Sequence, residues 1–106
     1  METYNNSLEL NPEDEVTWTS KGIIYTYLEQ YNKALNAYDK ALNINPKYAN
    51  AWYNKSCVYS LMNETGKALL YLEFAIGYNS YYKEKAKKDM DFVNLRVNKD
   101  FKLLVK

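Results

Sequence analysis

Residues 18–46 read WTSKGIIYTYLEQYNKALNAYDKALNINP, and residues 52–80 read WYNKSCVYSLMNETGKALLYLEFAIGYNS. A shift of 34 residues places Trp18 on Trp52 and Tyr25 on Tyr59. Further identical pairs under this shift are Lys33 and Lys67, Ala34 and Ala68, Leu35 and Leu69, Ala41 and Ala75, and Asn45 and Asn79. A fixed period of this length is typical of stacked supersecondary units, so the sequence predicts a repeat architecture.

Each unit is predicted to form two helices. In the first unit Trp18, Tyr25 and Leu28 recur at helical spacing, and a break follows at residues 29–30. The second helix carries its apolar residues at Tyr31, Ala34, Leu35, Tyr38, Ala41 and Leu42. Asn45-Pro46 predicts an N-cap followed by proline at the first helical position, which opens the second unit. The helices of that unit are predicted over residues 47–62 and 65–78, with Asn63 as a left-handed residue between them.

The flanks of the two units predict further helical segments. Residues 4–12 repeat the end of a second helix, which predicts that residues 1–12 are the remnant of a preceding helix, and Asn11-Pro12 predicts an N-cap and first helical position for the helix that follows. Residues 81–106 begin a third first helix, but Ala86 stands where the units have tryptophan, and charged residues are frequent. A terminal repeat needs a polar outer face, so a capping helix is predicted here, with a short terminal helix at residues 100–104.

The amino-acid composition argues against several classes of function. The chain has one cysteine, Cys57, and no histidine, which argues against an intramolecular disulfide, histidine-based catalysis and the common zinc sites. Its three glycines are isolated, so no phosphate-binding glycine loop is predicted. No basic segment leads into an apolar run at the start, and no apolar stretch is long enough to span a bilayer, so the expected location is the cytoplasm.

Charge is distributed unevenly although the net charge is only +1. Residues 1–46 hold seven acidic and three basic side chains, whereas residues 47–106 hold six acidic and eleven basic ones. The basic run at residues 83–88 is interrupted by Glu84 and followed by Asp89 and Asp91, so a solvated cap face is favoured over a nucleic-acid site. Neither nucleic acid nor membrane is therefore an expected partner.

The repeat pattern resembles the tetratricopeptide repeat. In the first unit the resemblance is carried by Trp18, Gly22, Tyr25, Ala34, Tyr38, Ala41 and Pro46, and in the second by Trp52, Tyr59, Ala68, Leu72 and Ala75. The second unit departs from it at Ser56 and Ser80, which replace Gly22 and Pro46 of the first. The resemblance implies an all-α fold of antiparallel helix pairs stacked as a short right-handed α-solenoid. It divides a single domain, residues 1–106, into repeat 1 (13–46), repeat 2 (47–80) and a C-terminal capping region (81–106).

The resemblance also implies a concave groove lined by the first helix of each unit, in which family members hold a peptide or a partner helix. It places in this groove Thr19, Ser20, Ile23, Thr26 and Tyr27 from unit 1, Asn50, Tyr53, Asn54, Cys57 and Leu61 from unit 2, and Glu84, Lys87, Lys88 and Asp91 from the cap. Asn54 matches an asparagine that hydrogen-bonds the ligand backbone in peptide-binding members. Trp18 and Trp52 are expected to fill space between the helices of their units.

Some partners of this family are disfavoured by particular residues. Members that hold the acidic tails of cytosolic chaperones use a clamp of basic and amide side chains around the terminal carboxylates. Thr19 and Ile23 replace two members of that clamp, and Glu84 replaces a third, so only Lys88 keeps a cation and chaperone-tail binding is not expected.

The sequence therefore predicts a non-enzymatic protein-interaction scaffold without a cofactor or metal. Asp89 and Asp91, taken as two residues apart on one helix, are not expected to face each other, which argues against a carboxylate-pair active site. The alternative is self-association into homo-oligomers through the two ends of the solenoid, where the acidic first half of one chain meets the basic second half of another.

Overall fold

The computed structural model describes residues 14–106, which form helices and turns without a strand. The α-helices are α1 (Glu15–Tyr27), α2 (Tyr31–Ile44), α3 (Ala49–Leu61), α4 (Thr65–Tyr78), α5 (Tyr81–Lys88) and α6 (Lys99–Leu104). A 3₁₀ helix, Met90–Leu95, lies between α5 and α6. The predicted all-α fold of repeated helix pairs is confirmed, while the predicted remnant at residues 1–12 lies outside the described residues.

Successive helices pack as pairs, with α1 against α2, α3 against α4, and α2 joining the two pairs through α3. The largest apolar cluster lies towards the C-terminal end, where Tyr53, Leu72, Phe92 and Phe101 are almost fully buried. The capping region therefore completes the core of the second unit. None of the helices in residues 14–106 is long and apolar enough to cross a membrane.

The turns inside the two helix pairs have the same geometry 34 residues apart. Glu29 and Asn63 adopt φ angles of 59° and 62°, so the left-handed residue predicted at Asn63 is confirmed. The next N–H in each turn, from Gln30 and Glu64, donates back to the carbonyls of Tyr25 and Tyr59 at 2.9 and 2.8 Å. This hydrogen bond, from an N–H to the carbonyl five positions earlier, is the Schellman pattern that ends a helix. It turns the chain sharply enough to bring each second helix back along the first.

Gly22 allows α1 to approach α2 closely. A Cβ atom added at Gly22 would lie 2.4 Å from Cε1 of Tyr38, well inside van der Waals contact. At the position of the second pair that corresponds to Gly22, the Ser56 hydroxyl donates to the carbonyl of Ala68 at 2.6 Å, and Leu72 stands where the first pair has Tyr38. The second pair therefore combines a larger residue at the glycine position with a smaller one at the tyrosine position.

The predicted N-cap role of Asn45 is wrong. Helix α3 begins at Ala49, and Asn45 instead forms a separate turn in which its side chain accepts from the Lys47 N–H at 3.2 Å and its carbonyl from the Tyr48 N–H at 3.0 Å. Asn79 makes the same two bonds, with Tyr81 and Tyr82. Asn45 thus shapes the connection between the helix pairs and lies too early in the chain to cap α3, whereas the Asn79 side chain accepts from the N–H of Tyr81, the first residue of α5.

The two tryptophans are half-buried. Trp52 packs against Tyr71 and Phe74 of α4, with ring centroids 5.7 and 4.9 Å away, and its indole N–H donates to the Pro46 carbonyl at 2.7 Å. Trp18 packs against the cluster around Ala41, Leu42 and Ala51. Both residues therefore bridge helices as expected, but each leaves part of its ring at the surface.

The predicted capping helix ends earlier than the sequence suggested. Helix α5 stops at Lys88, Asp89 is extended at φ −79° and ψ 126°, and the 3₁₀ helix follows. Asp89 caps that helix by accepting from the Asp91 N–H at 3.0 Å. The predicted short terminal helix is present as α6, and Phe101 anchors it in the core.

Candidate functional site

A cavity of about 530 Å³ opens along the first helices of both pairs. We call this cavity the groove; its lining residues are Ile23, Thr26, Tyr27, Tyr38, Asn50, Tyr53, Asn54, Cys57, Leu61, Lys85, Asp89 and Asp91. Helices α1 and α3 supply most of its walls, because their helical spacing presents the same face over several turns. The segment from α5 to the 3₁₀ helix closes the C-terminal end, where the three charged side chains lie.

Nine of the fourteen residues that the resemblance places in the groove line it: Ile23, Thr26, Tyr27, Asn50, Tyr53, Asn54, Cys57, Leu61 and Asp91. Five do not. Thr19 is only 2% exposed and Ser20 is half-buried outside the lining. Glu84 and Lys88 line a neighbouring depression, and Lys87 pairs with Glu84 at 3.2 Å outside the groove. The prediction for these five positions followed the repeat register and did not include the packing of α1 against its neighbours or the early end of α5.

The groove has an exposed apolar rim and a buried floor. Tyr27 is 84% exposed at the rim, with Ile23 and Leu61 partly buried beside it in the lining. Tyr53 and Cys57 form the floor and are almost fully buried. A partner would therefore contact the Tyr27 ring over much of its area, whereas it would meet Tyr53 and Cys57 only at the base of the cavity.

Tyr53 fixes the position of the charged end. Its hydroxyl donates to Oδ2 of Asp89 at 2.7 Å, and its ring stacks on Tyr82 with centroids 4.7 Å apart and meets Phe92 edge-on at 5.6 Å. Burial, reinforced by the nearby thiol and carboxylates, raises the pKa of Tyr53 far above its ordinary value. Tyr53 is therefore a neutral hydrogen-bond donor that holds the Asp89 carboxylate in place.

Asp89 and Asp91 lie close together, which corrects the expectation that they do not face each other. That expectation assumed one continuous helix, whereas the chain is extended at Asp89. The break is held by two contacts with α3, from Tyr53 to the Asp89 carboxylate and from the Ser60 hydroxyl to the Asp91 carbonyl at 2.6 Å. As a result, ligand atoms of Asp89, Asp91 and Cys57 all lie within 4.8 Å of one another.

This cluster has the composition of a possible metal site, but several of its atoms are already hydrogen-bonded within the protein. Burial raises the pKa of the Cys57 thiol well above its usual value, the two carboxylates raise it further, and the protonated thiol is hydrogen-bonded to Asp91. Both oxygens of Asp89 accept hydrogen bonds, from the Asp91 N–H and from Tyr53. A metal would have to displace the Cys57 proton and compete with these hydrogen bonds, and we propose no metal at these residues.

Neither carboxylate has an ion-pair partner within residues 14–106. The ion pairs in this range are Lys55 with Asp39 at 2.8 Å and Lys87 with Glu84 at 3.2 Å. Desolvation raises the pKa of Asp91, the adjacent Asp89 raises it further, and Cys57 and Lys85 act in the opposite direction. The C-terminal end of the groove therefore holds two partly desolvated negative charges in contact range of each other.

Asn54 has a defined orientation in the groove wall. Its amide NH₂ donates to the Asn50 carbonyl at 2.8 Å and also to the Asn50 side-chain oxygen. This pairing uses the donors of Asn54 and leaves its carbonyl oxygen as the group able to accept from a ligand N–H. In this orientation Asn54 could offer a ligand an acceptor rather than a donor.

Three lining residues were missed or assigned elsewhere by the sequence. Tyr38 was predicted as an apolar residue of the second helix, yet its hydroxyl reaches the groove wall, 3.2 Å from the hydroxyl of Thr26. Lys85 and Asp89 enter the lining because α5 ends at Lys88. Asp89 has a sequence signal that could have been used, since aspartate is a preferred N-cap residue and Asp91 adds a negative charge to the first turn that follows.

Comparison with protein families gives two overlapping matches. Residues 16–48 match a family model described as a tetratricopeptide repeat, and residues 37–70 match a second model with the same description. Together the matches cover residues 16–70, just over half of the chain. A comparison with curated proteins found no significant match.

Proposed function

Because the chain belongs to the tetratricopeptide repeat family, we propose that it is a protein-interaction adaptor that holds a partner segment, an extended peptide or a helix, in the groove. Repeats of this family are generally protein–protein interaction modules and are typically scaffolds without catalytic activity. The observation that supports the groove as the binding surface is its composition: nine residues predicted from the family resemblance line one cavity.

The groove offers the three kinds of contact that a peptide needs. Tyr27, Ile23 and Leu61 provide apolar area near its rim, where an aromatic ring gives a large contact at low entropic cost. The Asn54 carbonyl provides an acceptor for a backbone N–H. Asp89 and Asp91 provide charge at one end, and this charge is negative. An acidic chaperone tail fits this arrangement poorly, because its carboxylates would meet two more.

The proposal is tested by affinity capture with two matched double variants. Tyr27→Ala/Asn54→Ala removes groove contacts, whereas Tyr78→Ala/Asn43→Ala removes the same residue types at exposed positions of α4 and α2 outside the groove lining. We expect a partner from lysate to be retained by the wild type and the outer variant and lost by the groove variant. Circular dichroism and thermal unfolding establish that both variants are folded. Equal retention by both variants contradicts the proposal.

Self-association through the ends of the helical array is a second candidate. Exposed apolar side chains lie on its terminal segments, with Val16 54% exposed and Leu28 59% exposed on and just after α1, and Val97 85% exposed after the 3₁₀ helix. Such residues can bury area between copies, and the uneven charge of the two halves favours a head-to-tail arrangement. Sedimentation equilibrium across concentration and salt tests it: a monomer at high concentration contradicts this candidate, and oligomers that dissociate as salt rises support its charge-driven form.

A further inference from the structure

We propose that the segment bound in the groove carries a cationic side chain, arginine or lysine, which docks against Asp89 and Asp91. This inference rests on the proposed function and adds the chemistry of the partner. It is drawn from charge complementarity at one end of a cavity whose other lining residues are uncharged.

The charge of the groove is confined to its C-terminal end. Lys85, Asp89 and Asp91 are the charged members of the lining, and they leave one negative charge unbalanced. The Lys85 ammonium lies 5.7 Å from the centre of the Tyr53 ring, and in the described part of the chain it forms no ion pair with either carboxylate. Arg96 donates to the main-chain carbonyl of Asp89 at 3.3 Å, and the ion pairs found in residues 14–106 do not include it.

Hydrogen bonds fix the orientation of the Asp89 carboxylate in a position where it can bind a cation. The Asp91 N–H and the Tyr53 hydroxyl fix both oxygens of Asp89, so a ligand has little ordering to do there. Each carboxylate oxygen can still accept a further hydrogen bond from an incoming donor. Because the pair is partly desolvated, an added cation interacts with it more strongly than with an exposed aspartate.

The apolar part of the groove determines which residues can lie next to the basic residue in the bound segment. The exposed ring of Tyr27 can pack against an apolar side chain or against the alkyl stem of arginine or lysine. Ile23 and Leu61 extend this apolar area within the lining. The expected ligand therefore combines a basic residue with apolar residues, and an acidic segment is disfavoured by Asp89 and Asp91.

Selection from a phage-displayed library of random dodecapeptides tests the inference with a defined set of ligands. We expect peptides that bind the wild type, and are lost on Tyr27→Ala/Asn54→Ala, to contain arginine or lysine more often than the input library does. A synthetic version of the strongest peptide should bind Asp91→Asn about tenfold more weakly, the loss of roughly one charge-assisted hydrogen bond. Asp100→Asn, which removes the same charge on α6 outside the groove, should bind it as the wild type does.

A change in the peptide alone gives a readout that does not depend on the folding of a variant. Replacing the basic residue of the selected peptide with citrulline or norleucine, which removes the charge, should also weaken binding to the wild type about tenfold. Groove-dependent peptides without an excess of basic residues, or equal affinities for Asp91→Asn and Asp100→Asn, would overturn the inference while leaving the proposed function standing. A selection that yields no groove-dependent peptide contradicts both.

Discussion

The hydroxyl of Tyr53 on α3 donates a hydrogen bond of 2.7 Å to the carboxylate of Asp89, at the point where α5 has ended and the 3₁₀ helix begins. This bond joins the second helix pair to the capping region through the floor of the groove. It also places a carboxylate where a uniform third repeat would have continued as a helix. The geometry of the charged end therefore depends on a contact between residues 36 positions apart.

Tyr53→Phe should destabilise the chain by about 1–2 kcal/mol, because the partly buried Asp89 carboxylate loses a donor while the ring packing is kept. Tyr59→Phe is a suitable control, since the Tyr59 ring stacks on Tyr71 but its hydroxyl makes no hydrogen bond among residues 14–106. Urea unfolding followed by circular dichroism measures both free energies. Equal stabilities for the two variants would show that the Tyr53 hydroxyl contributes nothing to the fold.

Gly22→Ala should destabilise the chain by about 1–3 kcal/mol, because the added methyl group clashes with the Tyr38 ring and this outweighs the better helix propensity of alanine. Tyr38→Leu should partly rescue it, since the second helix pair combines Ser56 with Leu72 at the same positions. A double-mutant cycle checks the coupling. Strict additivity of the two free-energy changes would mean that the close approach of Gly22 and Tyr38 carries no energetic cost.

Glu29→Gly should stabilise the chain by about 1 kcal/mol, because Glu29 adopts φ 59° and glycine reaches that region without steric penalty. Glu64→Gly, at φ −93°, has no such strain to relieve and should not stabilise the chain. Thermal unfolding of the two variants compares a strained position with an unstrained one. A lower melting temperature for Glu29→Gly than for the wild type would rule out backbone strain at that turn.

Stability should depend on the charge of Asp91. Because its pKa is raised in the folded chain, chiefly by desolvation and then by Asp89, the unfolded chain loses this proton at a lower pH than the folded chain does. The contribution of Asp91 to the free energy of unfolding therefore falls as pH rises from its pKa in the unfolded chain to its higher pKa in the folded chain. Above that interval the contribution stays at the lower value. Asp91→Asn should be more stable than the wild type at neutral pH.

The advantage of Asp91→Asn should shrink as the solution is acidified below both pKa values, since the wild-type carboxyl is then neutral as well. Urea unfolding at a series of pH values measures the difference. Asp89, Cys57 and Lys85 surround this group and are unchanged in the comparison. A difference between the two proteins that is independent of pH would show that the charge of Asp91 does not oppose folding.

Lys85→Gln should tighten the binding of a cationic peptide roughly threefold, because Lys85 is the competing cation in the groove lining. Lys88→Gln removes the same charge from the neighbouring depression outside the groove and is the matched control. Fluorescence anisotropy with a labelled peptide compares the two dissociation constants. Weaker binding to Lys85→Gln would instead make Lys85 a direct contact of the ligand.

Most of the fold could be predicted from the repeat period. Identical positions 34 residues apart predicted the helix pairs, and the left-handed turn expected at Asn63 recurs at Glu29, where the residue type alone gave no signal. The prediction was least accurate in the capping region, where the repeat pattern is lost. Ala86 and Val93 replace the repeat's tryptophan and tyrosine, so the register no longer indicated where α5 ends.

Most groove residues on α1 and α3 were predicted, whereas at the charged end Asp91 was placed in the groove and Lys85 and Asp89 were not, because the repeat register is lost there. Helical spacing places Ile23, Asn54 and Cys57 on one face, which needs only local regularity. The approach of Asp89 to Asp91 depends on tertiary contacts from Tyr53 and Ser60, which no local pattern specifies. Thr19 lies at a repeat position that predicts a groove residue, but its side chain is buried in the structure.

Mapping the binding surface by NMR tests whether the groove holds the partner. The ¹⁵N-labelled chain is titrated with a peptide obtained by selection or from a captured partner, and the backbone amide shifts are followed. We expect the largest changes at groove residues such as Tyr27, Asn54 and Asp91, with little change at the exposed α4 residues Leu70 and Phe74. Changes concentrated on α4 while the groove amides stay unmoved would contradict binding in the groove.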